Sequence, residues 1–160
     1  MKIRLANATD APQIAELNEV FVSVTSPMDA QRFLELLELC SYCLVVEDGE
    51  RLLGFVIAMR NAAAYDNGNY QWFEARVQCM VYVDRIVLAA DARGQGLGYQ
   101  LYAELSKLAL ADGCKVMTAE MDTEPPNAHS LQFHSKQGFI EHGRRVLEGG
   151  KRVSMQCRDL

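Results

Sequence analysis

The sequence lacks a long hydrophobic run, and no stretch approaches the ~20 apolar residues that a membrane-spanning helix needs. It begins Met1-Lys2-Ile3-Arg4-Leu5, which alternates like a β-strand and has no apolar core of a signal peptide. No membrane association is therefore expected, and the sequence favours a cytoplasmic location.

Basic residues are also scarce, with 16 Lys and Arg against 21 Asp and Glu, for a net charge of −5. Nucleic acids and anionic membranes both require a basic face, so neither is expected as a partner. The five cysteines are odd in number and scattered, which is typical of reduced thiols rather than a disulfide framework. Cys40 and Cys43 form a C-x-x-C pair, but it follows a predicted helix at the wrong pole for a redox site. No second pair supplies a zinc site, so no metal is expected.

No internal repeat or Pro/Ser-rich linker divides the chain, and its length suits a single domain spanning residues 1–160. Hydrophobic periodicity and turn residues predict the order β-α-α-β-β-β-α-β-α-β-β. Such alternation is typical of an α/β fold, a mixed sheet with helices on both faces. The second helix is expected to begin at Ser26-Pro27. Strands are predicted at 2–6, 42–47, 52–59, 80–88, 115–121, 139–147 and 152–157, and the later helices at 97–111 and 127–137.

An irregular segment, residues 61–79, precedes the apolar strand 80–88 and carries an aromatic cluster. Its second part, 70–77, is a candidate short helix. The cluster forms either a hydrophobic plug or a wall of a substrate pocket; it consists of Tyr65, Tyr70, Trp72 and Phe73.

The most informative segment follows that strand and leads into an amphipathic helix: Arg93-Gly94-Gln95-Gly96-Leu97-Gly98. Backbone N–H groups at a helix start are unpaired, and the helix dipole favours negative charge there. Glycines remove the Cβ atoms that would keep an anion away, and Arg93 adds a positive donor set. The turn therefore predicts a pyrophosphate site.

Two other phosphate-binding motifs do not match this turn. A dinucleotide site needs G-x-G-x-x-G after the first strand, whereas here the spacing from Gly94 is G-x-G-x-G after the fourth. A phosphate-loop NTPase needs a Gly-Lys-Ser/Thr sequence, which is absent near the turn.

The pattern Arg93-x-x-Gly96-x-Gly98 resembles the acetyl-CoA motif of the GNAT acetyltransferase superfamily. A second segment resembles that superfamily's other signature: Asn127-Ala-His-Ser130-Leu-Gln-Phe133-His134-Ser-Lys136-Gln-Gly138-Phe139. The element order is also similar over essentially the whole chain. Within the superfamily, Tyr82-Val-Asp84-Arg85-Ile86-Val87 and Glu124-Pro-Pro-Asn127 look like a bacterial branch of predicted acetyltransferases of unknown substrate.

The resemblance implies acetyl-CoA as cosubstrate, with the pantetheine arm lying along the strand before the turn and the pyrophosphate on the turn's amides. Lys136 either lies near the nucleotide phosphate or is a solvated helix residue. The implied cofactor-binding set is Ile86, Val87, Leu88, Arg93, Gly94, Gln95, Gly96, Leu97, Gly98, Asn127, Ser130 and Lys136.

An attacking amine must lose a proton, so a base is required. Asp84 is one candidate, because strand parity predicts that it shares a face with Tyr82, Ile86 and Leu88. The alternative for Asp84 is a structural salt bridge, for instance to Arg85. Glu120, near the end of the next strand, is the second candidate.

The departing thiolate needs a proton donor, for which the superfamily commonly has a tyrosine at the position of His134. Either His134 donates with a shifted pKa, or water protonates the thiolate and His134 is a polar wall of the channel. The resemblance implies direct acetyl transfer to a small-molecule or peptide amine, and superfamily members often form homodimers. The alternative is a non-catalytic acyl-CoA-binding or regulatory module on the same fold.

Overall fold

Seven strands and five α-helices form a single α/β domain in the computed structural model, which describes all 160 residues. The strands are β1 (Lys2–Leu5), β2 (Tyr42–Asp48), β3 (Arg51–Arg60), β4 (Met80–Leu88), β5 (Val116–Glu124), β6 (Ile140–Val146) and β7 (Arg152–Asp159). The helices are α1 (Ala11–Val20), α2 (Ala30–Leu39), α3 (Gly68–Glu74), α4 (Leu97–Ala111) and α5 (Ala128–Lys136).

The strands make one sheet in the order β1-β2-β3-β4-β5-β7-β6. Neighbouring strands are antiparallel except β4 and β5, which are parallel. Helices α1, α2 and α3 pack on one face, and α4 and α5 on the other, over two separate clusters of buried apolar side chains. The predicted mixed sheet with helices on both faces is confirmed.

One local expectation is wrong. Helix α2 begins at Ala30 rather than at Ser26-Pro27, because the side chain of Asp29 accepts a hydrogen bond from the Arg32 N–H and caps the helix there. The candidate short helix of the irregular segment forms as α3, two residues earlier than predicted, and adds one helix to the element order. Asn67 caps α3 by accepting from the Tyr70 N–H.

The sheet opens between β4 and β5. These strands pair only where Met80, Val81 and Tyr82 face Val116, Met117 and Thr118. Beyond that point β4 stays on β3 as far as Leu88, while β5 stays on β7 as far as Glu124. The two halves of the sheet therefore separate, and β4 beyond Tyr82 has no strand partner on the side of the opening.

None of the helices is long and apolar enough to cross a lipid bilayer. The cytoplasmic location stays a prediction.

Candidate active site

A cavity of about 500 Å³ lies in the opening between β4 and β5. Its walls come from both strands, from the loop between α1 and α2, and from α5. Nine residues of the predicted site line it: Asp84, Ile86, Val87, Leu88, Arg93, Glu120, Asn127, Ser130 and His134. The structure therefore brings all three catalytic candidates to one cavity.

The cavity-facing edge of β4 is backbone without a strand partner. On the opposite edge, the Ala89 N–H donates to Leu53 O at 2.8 Å, and the carbonyl oxygen of Val87 lies against Gly54 of β3. Because successive residues of a strand point their N–H and C=O groups to opposite edges, those of Ile86 and Leu88 face the cavity. An extended ligand can pair with them.

The turn that follows presents a run of free donors. None of the backbone N–H groups of residues 94–99 has a hydrogen-bond partner within the protein, and no side chain caps α4. Such amides at a helix start attract anions. This turn directly follows Arg93, which lines the cavity together with the residues of β4.

The glycines of this turn serve two purposes. Gly94 and Gly96 have φ angles of 77° and 76°, a left-handed conformation that L side chains rarely adopt. Gly98 instead permits close helix packing, since a Cβ there would lie 2.8 Å from the ring of Phe133 on α5. Gly98 therefore has a packing role in addition to the predicted one.

Arg93 is exposed and lies over the ring of Phe21, with its Cζ 4.4 Å from the ring centroid. This cation–π contact links the turn to the loop after α1. The guanidinium is thus held at the rim of the cavity.

Asp84 is held in a buried ion pair. One of its oxygens accepts from Arg85 Nε at 2.8 Å and the other from the Tyr65 hydroxyl at 2.5 Å. Arg85 in turn donates to Asn18 and to the Ser26 backbone and hydroxyl, which ties the α1–α2 loop to β4. The structure favours the salt-bridge interpretation of Asp84.

Strand parity fails at Asp84 because β4 contains a β-bulge there. Ile57 pairs with Arg85 and Ala58 with Val83, which leaves Asp84 without a partner on β3. The extra residue changes the alternation, so Tyr82 packs in one core cluster while Ile86 and Leu88 pack against the other. The predicted shared face is wrong.

Glu120 projects from β5 just beyond the last β4–β5 pair. Its Oε1 accepts from the Tyr82 hydroxyl at 2.9 Å and from Asn69 Nδ2 at 3.1 Å. Its Oε2 is buried without a hydrogen-bond partner. Burial, together with the negative charge of Asp84, raises the pKa of Glu120 to about 8. Glu120 can therefore gain and lose a proton near neutral pH.

His134 is buried with both ring nitrogens engaged. Nδ1 lies 2.7 Å from the carbonyl oxygen of Ser130, which only accepts, so Nδ1 carries the hydrogen. Nε2 then accepts from the Tyr102 hydroxyl at 2.8 Å. Burial lowers the pKa of His134 to about 4. A neutral ring that donates to Ser130 favours the alternative role, a polar wall of the channel.

The remaining predicted cofactor contacts divide into two groups. Asn127 caps α5 by accepting from the Ser130 N–H at 3.2 Å, which leaves its amide NH₂ group free at the cavity. Lys136 is exposed at the end of α5 and does not line the cavity, as expected for a solvated helix lysine. The residues of the turn after Arg93 also lie beyond the cavity lining.

Several cavity residues were not singled out by sequence reasoning. Asn69 is one of them and lies in the irregular segment 61–79. Asp122 pairs with Lys151 Nζ at 3.0 Å and lines the wall opposite β4. The sequence could have indicated Asp122 only through its position, because it lies two residues after Glu120 on the same strand and residues at that spacing point to the same face of a sheet.

The aromatic cluster forms part of the core rather than the pocket. Tyr65, Tyr70 and Phe73 are buried, and Trp72 packs against the same cluster. None of the four lines the cavity. The hydrophobic-plug interpretation is the one the structure supports.

Comparison with known proteins identifies the family. The chain belongs to the acetyltransferase (GNAT) family, whose model matches residues 11–139. An L-methionine sulfoximine/L-methionine sulfone acetyltransferase of Pseudomonas aeruginosa is 37% identical over 82 residues. That match covers 51% of this chain and 44% of the relative, less than half of the relative's length.

Solved structures share the fold over the whole chain. Ard1 from Thermoplasma volcanium has a TM-score of 0.80 at 14% identity, covering 99% of this chain and 97% of that one. A ribosomal-protein-alanine N-acetyltransferase from Brucella melitensis has a TM-score of 0.76 at 21% identity and covers both chains fully, 100% of each. A putative acetyltransferase from Salmonella typhimurium, solved with acetyl-CoA, has a TM-score of 0.75 at 22% identity, covering 100% and 94%.

Proposed function

We propose that this acetyltransferase moves the acetyl group of acetyl-CoA directly to a primary amine. The observation that carries the proposal is the free edge of β4, which runs into a turn whose six backbone N–H groups, residues 94–99, have no partner. An acyl-CoA needs both features, an extended surface for its amide-containing arm and a cluster of donors for its pyrophosphate.

The residues present fit this cosubstrate. The N–H and C=O groups of Ile86 and Leu88 would pair with the pantetheine amides. The free amide NH₂ group of Asn127 faces the same channel from α5. A separate backbone N–H of this strand, near Leu88, would polarise the thioester carbonyl, because a fixed backbone donor stabilises the oxyanion that forms there.

Glu120 is proposed as the base. Glu120 lines the cavity and its Oε2 has no hydrogen-bond partner, whereas both oxygens of Asp84 are already bonded to Arg85 and Tyr65. A pKa of about 8 lies close to the operating range that favours proton transfer. The amine nitrogen attacks the thioester carbon, its excess proton passes to Glu120, and the C–S bond breaks.

The leaving thiolate takes its proton from solvent in this proposal. The Nδ1 hydrogen of His134 is committed to Ser130, and Nε2 has no hydrogen to give. His134 and Phe133 then serve as walls of the cosubstrate channel.

The acceptor is proposed to be a small-molecule or peptide amine that enters the cavity of about 500 Å³ beside β4. The Pseudomonas relative, whose name gives methionine sulfone and methionine sulfoximine as acceptors, supports including amino acids among the candidates. The ribosomal-protein-alanine enzyme of the same fold supports including N-terminal peptides.

The test combines binding and turnover. Calorimetry should detect binding of coenzyme A to the protein. In the turnover assay, free thiol should be released from acetyl-CoA when amino acids, polyamines or N-terminal peptides are added one at a time. CoA binding without turnover on any amine would favour a non-catalytic acyl-CoA-binding module. No binding at millimolar coenzyme A would overturn both assignments.

A further inference from the structure

Helix α3 crosses the opening of the sheet and contacts both halves. On the β4 side, Tyr70 and Phe73 pack against Tyr82, with ring centroids 5.5 and 5.8 Å apart. On the other side, Trp72 lies so close to β6 that a Cβ on Gly143 would be 2.6 Å from its ring. The helix is therefore fixed above the cavity by both sides of the split.

Asn69, in the first turn of α3, points at the proposed base. The helix cap is supplied by Asn67, so the side chain of Asn69 is not needed for capping. Its Nδ2 donates to Glu120 Oε1 at 3.1 Å, and it lines the cavity.

Arg145 on β6 holds Asn69 from behind by donating to its Oδ1. A guanidinium has only donors, so the carbonyl end of the Asn69 amide must face Arg145 and its NH₂ end must face Glu120. Gly68 makes room for this contact, since a Cβ there would lie 2.9 Å from the guanidinium.

The two donors to Glu120 act on the same oxygen. Tyr82 on β4 and Asn69 on α3 both donate to Oε1, and Oε2 is left without a partner. The carboxylate is thus held through one specific oxygen, and the other has no hydrogen-bond partner within the protein.

We propose that Asn69, oriented by Arg145, is a positioning residue that holds Oε1 of Glu120 so that Oε2 faces the attacking amine. This inference rests on the proposed role of Glu120 as base. Asn69 itself touches neither the thioester nor the transferred group in this scheme.

The charges around Glu120 determine the direction of the expected effect. Asp84 on β4 raises the pKa of Glu120, while donation from Tyr82 and Asn69 lowers it. The charge on Asp84 is paired with that on Arg85. Lys151, the residue before β7, is paired with Asp122. On α5, His134 is neutral near pH 7, since burial lowers its pKa to about 4. Loss of the Asn69 donor therefore raises the pKa of Glu120.

The experiment measures the Glu120 carboxyl directly. In protein with ¹³C-labelled glutamate, the Glu120 signal is assigned by its loss in Glu120→Gln and titrated in the wild type and in Asn69→Ala. We expect the pKa to rise by about one unit in Asn69→Ala. The kcat plateau at high pH should fall about tenfold while the Kd for coenzyme A stays unchanged, because a carboxylate held by only one of its two donors is less precisely placed.

Arg145→Leu provides a second route should Asn69→Ala fail to fold, and it should shift both quantities in the same direction. Arg145→Lys, which keeps a donor, should recover part of the rate. The matched control is Arg144→Leu, an exposed neighbour paired with Glu141, which should change neither quantity.

An unchanged Glu120 pKa and kcat in Asn69→Ala and Arg145→Leu would overturn the positioning role while leaving the base assignment intact. A full rate in Glu120→Gln would instead remove the base, and with it the inference. The two failures are therefore distinguished by different variants.

Discussion

The Tyr82 hydroxyl donates to Glu120 Oε1 at 2.9 Å across the point where β4 and β5 stop pairing. Tyr82 is the last β4 residue in the parallel ladder, and Glu120 lies two residues beyond its β5 partner, Thr118. The contact holds the proposed general base, Glu120, at the point where the two strands separate. It explains how an ionisable group remains ordered in a largely buried position.

Replacement of Glu120 by Gln should lower kcat about 100- to 10,000-fold, because proton removal from the amine loses its acceptor. The KM for acetyl-CoA should stay near the wild-type value, since Glu120 lies across the split from the free edge of β4. Steady-state kinetics over pH 6–10 measures both. Glu124→Gln, an exposed carboxylate on the same strand paired with Arg152, is the control and should retain activity. A wild-type rate for Glu120→Gln would exclude the assigned role.

The same variant should alter the pH dependence of stability. The pKa of Glu120 is raised in the folded state to about 8 from an ordinary 4.5, so the folded protein binds more protons than the unfolded chain between those values. The contribution of Glu120 to stability is therefore present at low pH and is lost as pH rises toward 8. The Tm of Glu120→Gln relative to wild type should increase from pH 5 to about pH 8 and level off above it. A Tm difference that does not vary with pH would contradict the raised pKa.

Asp84→Asn should destabilise the fold by about 3 kcal/mol, because it leaves the buried guanidinium of Arg85 without its counter-charge. Denaturant unfolding measures the loss. The matched control is Asp91→Asn, which removes an ion pair of the same 2.8 Å length between exposed partners, Arg51 and Asp91. That change should cost about 0–1 kcal/mol. Equal losses for the two variants would mean that Asp84 and Arg85 do not form a structural pair.

Gly96→Ala should cost about 1–2 kcal/mol of stability because its φ of 76° is unfavourable for a residue with a Cβ. It should also weaken coenzyme A binding, since the turn would lose the conformation that presents its amides. Gly113→Ala is the control: its φ is 89°, and it lies just beyond the other end of α4. Calorimetry should show weaker binding for Gly96→Ala alone, and a comparable loss in both variants would argue against the anion-binding turn.

His134→Phe should leave the shape of the kcat pH profile unchanged, because the neutral imidazole has no proton to give to the thiolate. Its stability should fall by about 1–3 kcal/mol, since the buried hydroxyl of Tyr102 loses its acceptor. His142→Phe, at an exposed position on β6, should change neither property. Loss of the basic limb of the profile in His134→Phe would restore the acid role.

Local sequence determined the elements that depend on nearest neighbours. The apolar run of β4 and the amphipathic repeat of α4 were predicted with the observed bounds, because burial periodicity and the glycine turn between them are local properties. The turn proposed to bind the pyrophosphate was also visible in sequence, since glycines that tolerate positive φ angles and unpaired helix-start amides follow from residue type and position.

Only the tertiary structure distinguished the surroundings of the two candidate acids, Asp84 and Glu120. The bulge at Asp84 depends on the register of β4 against β3, and the Asp84–Arg85 pair depends on the α1–α2 loop folding over both residues. The pKa of Glu120 is raised by burial and by Asp84 on another strand. Its Oε1 accepts from two donors, Tyr82 and Asn69, that lie 38 and 51 residues away in the chain. Hydrogen bonds and desolvation act through space between residues distant in sequence, and no local pattern encodes them.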